Sequence, residues 1–366
     1  MKSLSGGGTE KVLLTMLRNI DYSLFEVELL LLYNEGVYME DVPKEVKRRY
    51  VYSKSLSFRE KFDYFLFRKF GTYQGYKQIM RYRVPQYYDT IISFMEGYTL
   101  RFHSYIADRA DKNISWVHMD LLTHHYTVGR LFTEDLEKQA YAMMDKIVFV
   151  SNNAKSQFEL LYPENKVEKK VILNPIEKDL IVQYRKKYKK YLGDRCFNIV
   201  SVGRLSGEKG FDRLIRLAKR LKEDGYKFHI NLIGEGALRE RLEKLIVDNS
   251  VEENVSLLGF INPPYELMSN SDLFISTSVS EGFSLVVAEA FCLGLPIVAT
   301  KTAGPLELIE NNKYGLLTEH DDESIYQAVK KMIDDDSARE HYHKMSFQRA
   351  EKININFIID QVHNIL

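Results

Sequence analysis

The run Glu281-Gly282-Phe283-Ser284-Leu285-Val286-Val287-Ala288-Glu289 holds two carboxylates apart by seven residues, with a Gly-Phe-Ser turn after the first. Residues 273–276 read as a strand and 284–293 as the helix after it, from their apolar continuity and length. The Gly282 turn therefore falls at the carboxyl end of a strand, where open α/β sheets bind ligands. Ser284 is suited to cap the helix, whose free backbone N–H groups would face an anion. Glu281, before the turn, and Glu289, within the helix, can reach two different hydroxyl-bearing parts of that ligand. An anion between two hydroxyl clusters describes a sugar nucleotide.

A second cluster, Gly203-Arg204-Leu205-Ser206-Gly207-Glu208-Lys209-Gly210, offers two cations after a strand ending at Gly203, with Gly210 opening a helix. Arginine supplies a planar fork and lysine a point charge, a pairing that suits a diphosphate. Arg204 and Lys209 would stabilise a departing nucleoside diphosphate electrostatically. Any strand–turn–helix edge carries charge, so the pair gains meaning from Glu281 and Glu289 at the same end of the same sheet.

Together with Gly304-Pro305-Leu306-Glu307, these motifs resemble the donor half of the retaining glycosyltransferase family 4 enzymes. The resemblance covers residues 3–340 and is strongest in the second half. It implies the GT-B fold, an α/β architecture of two Rossmann-like domains whose parallel sheets face across a cleft. It also implies that Glu281 contacts donor-sugar hydroxyls, that Glu289 holds the ribose, and that Phe283, Ser284 and Leu285 meet phosphate or sugar through backbone N–H groups beside Gly282. Trp116-Val117-His118-Met119-Asp120 closes a first-domain strand, and the matching family histidine lies near the reacting sugar. A lone histidine is more often structural; the resemblance makes His118 a candidate catalytic residue with Arg204, Lys209 and Glu281.

Three further motifs are weaker. Gly6-Gly7-Gly8 precedes a helix, but Lys11 stands too far from the last glycine for a phosphate-binding P-loop. Close backbone approach to the diphosphate or acceptor is the better use of Gly6, Gly7 and Gly8. Gly234-Glu235-Gly236 lacks the third glycine of a dinucleotide fingerprint; the resemblance places Glu235 beside the base, and Gly203 beside the donor. His124 and His125 lack zinc-site spacing with Cys or acidic residues. No Asp-x-Asp follows a first-domain strand, and Asp334-Asp335-Asp336 reads as a solvated helix end. The expectation is a metal-independent enzyme with no cofactor, in which Arg204 and Lys209 do the work of a cation.

Positioning such residues takes two cores, and 366 residues suffice for both. Basic and acidic residues balance at 51 each, so bulk charge recruits neither nucleic acid nor membrane. Two cysteines make no disulfide framework, and Cys292 in an apolar helix reads as packing. No run approaches the ~20 apolar residues of a spanning helix. A cytoplasmic protein is expected, with peripheral contact to the inner membrane face through Tyr184-Arg185-Lys186-Lys187-Tyr188-Lys189-Lys190-Tyr191 or through Lys44, Lys47, Arg48 and Arg49 weighed against ordinary solvated charge.

Strands are expected at 26–33, 90–94, 115–118, 147–151 and 171–174, then at 198–202, 229–233, 256–258, 273–276, 297–300 and 315–317, alternating with helices. The stretch 34–88 is aromatic, basic and poorly periodic, and yields no element. This gives an acceptor-binding domain over 1–176, a linker over 177–195, a donor-binding domain over 196–345 and a tail over 346–366 that crosses back to the first domain. Only Met1 and Lys2 precede the first strand-to-helix loop, where the family has a central apolar strand. The expectation is a native chain that begins about ten residues upstream of Met1 with a short apolar segment ending at Ser3, since a central parallel strand carries much of a core; a trimmed chain, or a first domain that lacks this strand, is the alternative.

The leading reading is transfer of a hexose or N-acetylhexosamine from a nucleoside-diphosphate sugar, UDP-linked by family frequency, to a hydroxyl of a glycan or lipid-linked acceptor in surface polysaccharide assembly. The resemblance implies retention, by front-side attack. A sugar-nucleotide epimerase on the same fold and an inactive sugar-nucleotide-binding protein are the alternatives. A phosphorylase would need a pyridoxal-bearing lysine and a much longer chain.

Overall fold

Apolar runs such as Leu273-Phe274-Ile275 have no polar face, so they fit strands covered by helices on both sides. A computed structural model describes residues 1–53, 74–129, 133–186 and 196–366, with Phe58, Lys61, Phe62, Phe65 and Lys69 between the first two spans. The chain divides into two compact units, Met1–Pro175 with Asn356–Leu366, and Ile176–Ile355.

The second unit carries β7 (Phe197–Val202), β8 (Phe228–Ile233), β9 (Val255–Leu257), β10 (Leu273–Ser276), β11 (Ile297–Thr300) and β12 (Leu316–Thr318). All run parallel, in the order β12-β11-β10-β7-β8-β9. The chain leaves β7 toward one edge and returns at β10 toward the other, so β7 and β10 flank the topological switch point. Helix Phe211–Glu223 turns Phe211, Leu214, Ile215, Ala218 and Leu221 onto the sheet, the spacing of one helical face. Helix Leu285–Leu293 is apolar nearly all round and buried from Val287 onward. Burial pushes the Cys292 thiol up to about 12, in keeping with packing.

The first unit has a parallel pair, β1 (Glu28–Tyr33) with β2 (Lys47–Tyr52). A four-stranded parallel sheet follows, with β3 (Tyr88–Ser93), β4 (Ala110–Val117), β5 (Lys146–Phe149) and β6 (Glu168–Val171) in that order. The C-terminal helix Ile355–His363 packs on this unit: the Leu366 carbonyl accepts from the Thr90 hydroxyl at 2.8 Å and from Lys112 Nζ at 3.2 Å.

Some sequence expectations need correcting. The strand placed at 171–174 lies at Glu168–Val171, because Lys169 and Lys170 carry the pairing with β5 despite their charge. β2 was hidden in the aromatic and basic stretch because Lys47, Arg48 and Arg49 sit on an edge strand. There Lys47 pairs with Glu26, Arg49 Nε lies 3.0 Å from Glu28, and Arg48 donates to the Met39 carbonyl. Part of the expected linker is helix Lys178–Val182, and Lys187 to Arg195 lie outside the described residues. Ser346 and Arg349, placed in the returning tail, bond instead to Leu295 and Glu310 of the second unit.

A cavity of about 540 Å³ is lined by β1 at Leu29, Leu30 and Leu32 and by β3 at Ile91 and Ile92, with Phe102 beneath. Met1 enters it: its amino group donates to the Leu30 carbonyl at 3.2 Å and its carbonyl accepts from Leu32 N–H at 3.0 Å, the pattern of a parallel ladder. Burial lowers that amino group to about 5. An apolar, β-branched hexapeptide fused ahead of Met1 is expected to fill this space and raise the melting temperature by several degrees, since each buried apolar side chain contributes about 1.5–3 kcal/mol. A scrambled polar extension is the control; equal melting curves for the two would show that the cavity does not take a strand.

Candidate active site

The loops after β7 and β10 meet at the switch point, and glycine lets them touch. Gly210 has φ +60°, and a Cβ there would stand 2.4 Å from the Thr277 carbonyl oxygen. The Thr277 hydroxyl donates to the carbonyl of Gly210 at 3.0 Å, and Arg213 Nη1 donates to the Thr277 carbonyl at 3.0 Å. The short turn Gly207–Lys209 thus lies against the end of β10. There the Lys209 ammonium donates to Glu281 Oε1, which also accepts from the Ser278 hydroxyl at 2.9 Å. Side-chain exposure is 21% for Lys209 and 10% for Glu281, so solvent screens this pair less than a surface ion pair. Glu281 was expected to be available for sugar hydroxyls; one of its oxygens is already committed to Lys209 and Ser278.

The turn after Glu281 is held from the other side by Gly304. Its N–H donates to the Glu281 carbonyl at 3.0 Å, and a Cβ on it would lie 2.5 Å from the Ser284 nitrogen. Ser284 does occupy the N-cap of helix Leu285–Leu293, with extended φ and ψ, but its hydroxyl makes no capping bond. That hydroxyl is buried without a partner among the described residues, which corrects the expected cap. The first N–H groups of a helix have no acceptor within it, so this terminus keeps an anion-binding character. Glu289 is buried one turn further on, where Tyr265 donates its hydroxyl to Glu289 Oε1 at 3.3 Å.

Gly203, Arg204 and Glu235 share this edge. Leu205 N–H donates to the Glu235 carbonyl at 2.9 Å, which ties the loops after β7 and β8. Arg204 is exposed, with no side-chain partner among the described residues. Glu235 is also exposed and pairs with Arg239 at 2.6 Å, an ordinary i,i+4 surface contact. Of the basic stretch, Arg185 donates to the Cys292 carbonyl at 2.6 Å and Lys186 to Asn270 at 2.9 Å, while Lys187 to Tyr191 lie outside the described residues.

In the first unit, Gly7 is the N-cap of helix Gly8–Asn19, and Gly6 ahead of it has φ +100°. His118 is the residue after β4. It is buried, its ring 4.9 Å from that of Phe94 and 6.5 Å from that of Trp116. Nε2 has no partner among the described residues, and burial holds the imidazole down at about 3, so it is neutral at pH 7. His125 is occupied elsewhere: Nε2 lies 2.7 Å from Glu137 Oε2, which also accepts from the Tyr162 hydroxyl. Sequence reasoning missed Ser278, Tyr265 and Glu96, since none lies in a recognisable motif.

Residues 183–349 match the family model of the glycosyl transferases group 1. An N-acetylgalactosamine-N,N'-diacetylbacillosaminyl-diphospho-undecaprenol 4-alpha-N-acetylgalactosaminyltransferase of Campylobacter jejuni is 40% identical over 155 residues. That stretch is 42% of this chain and 42% of that protein, so the likeness spans under half of either. Among solved structures, sucrose-phosphate synthase from Thermosynechococcus elongatus covers 100% of this chain and 94% of its own with a TM-score of 0.79 at 15% identity. HepE from Anabaena, in complex with UDP and glucose, covers 100% and 97% with a TM-score of 0.75 at 18% identity. Residues 183–349 are thus similar to the group 1 glycosyl transferases, and the likeness to solved structures over the whole chain shows the GT-B fold.

Proposed function

We propose that the protein transfers a hexose or N-acetylhexosamine from a UDP-linked sugar to a hydroxyl of a glycan or lipid-linked acceptor, with retention of anomeric configuration. The observation that carries this reading is the half-buried Lys209–Glu281 pair at the switch point, beside the uncapped start of helix Leu285–Leu293. A cation and a helix N-terminus at one sheet edge make a diphosphate site, and a carboxylate beside it suits sugar hydroxyls. The Campylobacter jejuni relative is named for a diphospho-undecaprenol-linked acceptor, and the HepE structure holds UDP and glucose. Both support the donor and acceptor classes proposed.

In this reading the Lys209 ammonium and the Arg204 guanidinium stabilise negative charge that grows on the diphosphate as the glycosidic bond breaks. Glu281 orients Lys209 through Oε1 and takes sugar hydroxyls with its remaining acceptor capacity, while Glu289 holds the ribose. The departing diphosphate oxygen helps accept the acceptor's proton, so attack comes from the face the leaving group vacates. His118, neutral, gives a hydroxyl a hydrogen-bond partner and adds no charge. Contact at the cytoplasmic membrane face would bring a lipid-linked acceptor within reach.

Lys209→Ala and Glu281→Gln are each expected to lower turnover by about 10²–10³, the usual cost of losing a preorganised charge contact. Turnover within threefold of wild type at a matched melting temperature would remove that residue from the site. Transfer should also persist in excess EDTA, because Arg204, Lys209 and the helix terminus supply the positive charge. Complete loss on chelation, restored by manganese or magnesium, would contradict that. Since His118 is already neutral above about pH 3, the pH profile of kcat should show no inflection near 6.5 that His118→Gln removes. Such an inflection would mean that His118 titrates in turnover.

A further inference from the structure

Glu96 is among the most buried carboxylates of the first unit, with 2% of its surface exposed, and neither of its hydrogen-bond partners is a cation. It stands in the turn between β3 and helix Tyr98–Ser104, just before Gly97 in a left-handed conformation at φ +70°. Oε2 accepts the backbone N–H of His118 at 2.8 Å. Oε1 accepts the hydroxyl of Tyr126 at 2.6 Å. One side chain therefore joins three segments: the turn after β3, the first residue beyond β4, and the loop that follows it.

The His118 bond matters because of where the sheet stops. β4 pairs with β5 as far as Val117, so the next N–H has no ladder partner. Glu96 supplies it. The loop beyond is separately folded on Asp120, whose Oδ1 accepts from Leu122 and Thr123 N–H, both at 3.1 Å. Tyr126 then brings that loop back to Glu96. Burying a carboxylate costs several kcal/mol unless hydrogen bonds offset it. Burial does push this carboxyl above its ordinary range, opposed by the bonds from His118 and Tyr126. Two donors meet the group, the His118 N–H at one oxygen and the Tyr126 hydroxyl at the other. A neutral amide at this position could satisfy only one of them.

We propose that Glu96 is a positioning residue for His118, fixing the backbone at the end of β4 and the loop through Tyr126 so that the imidazole is presented in one orientation. The proposal rests on the reading of His118 as a donor contact. The ring is buried beside Phe94 and Trp116, so its direction follows the backbone that carries it. Displacements near 1 Å at a reacting centre cost roughly 10² in rate.

A double-mutant cycle tests this on the full chain with Glu96→Gln, His118→Ala and the pair, reading kcat, donor KM and hydrogen exchange at the 118 amide. Glu96→Gln is expected to lower kcat tenfold or more, to leave donor KM within about twofold, and to speed exchange at the 118 amide. In the His118→Ala background the same change should cost less than threefold, because residues acting through one another are not additive. Additive losses, or a Glu96→Gln enzyme with wild-type kcat, would overturn the positioning role. Wild-type turnover in His118→Ala alone would instead overturn the reading of His118, and the Glu96 role with it. Should Glu96→Gln fail to fold, Tyr126→Phe removes one donor, keeps the carboxylate and enters the same cycle.

Discussion

Backbone-to-backbone approach at the carboxyl edge of the second sheet is the constraint on which the site depends. The loops after β7 and β10 come close enough for Thr277 to bond the main chain beside Lys209, and only a residue without Cβ fits at Gly210. Gly304 does the same for the turn after Glu281. Two loops distant in sequence are thereby held in one register. The parallel order β10-β7-β8 with helices on both faces leaves their ends as the place where such loops can gather. If either contact opened, Lys209 and Glu281 would be surface charges on separate loops, and exposed pairs contribute little.

Held together, the two charges do something neither does alone. Taking an ammonium out of water is unfavourable, and Glu281 offsets that cost while Lys209 stays partly exposed. The helix start at Leu285 adds positive potential without a side chain. Buried Glu289 is kept in place by Tyr265, which gives the edge a second acidic position one helical turn deeper. In the first unit the candidate group is chemically different: a buried imidazole with no charge at neutral pH. Charge suits a diphosphate and neutral hydrogen bonding suits hydroxyls, in keeping with the function proposed.

Much of this was legible because parallel strands are short, apolar and regularly spaced. The strands at 273–276 and 297–300 fall at Leu273–Ser276 and Ile297–Thr300, and helix 284–293 differs by one residue. Periodicity failed where burial is one-sided or charge sits on an edge, as in Lys47–Tyr52 and Glu168–Val171. The same limit applies at the site. Glu281, Lys209 and their glycines could be picked out because local spacing places them beside turns. The missing cap of Ser284 could not be foreseen, since a hydroxyl at an N-cap bonds or not according to ψ and to what packs above it, here the Gly304 backbone.

Glu96 shows the harder case. Its neighbours Met95, Gly97 and Tyr98 carry no catalytic pattern, and a glutamate in a turn is ordinarily solvated. What sets it apart is tertiary: the strand ladder ends at Val117, and the unpaired N–H of His118 falls where a buried carboxylate can accept it. Buried main-chain donors must find acceptors, so the end of every buried strand poses this question. Most are answered by neighbouring backbone. Here the answer is a carboxyl side chain, which the fold retains although burial works against its charge. A group that is costly to keep, placed directly behind a neutral histidine, is better explained by the orientation it enforces than by the stability it adds.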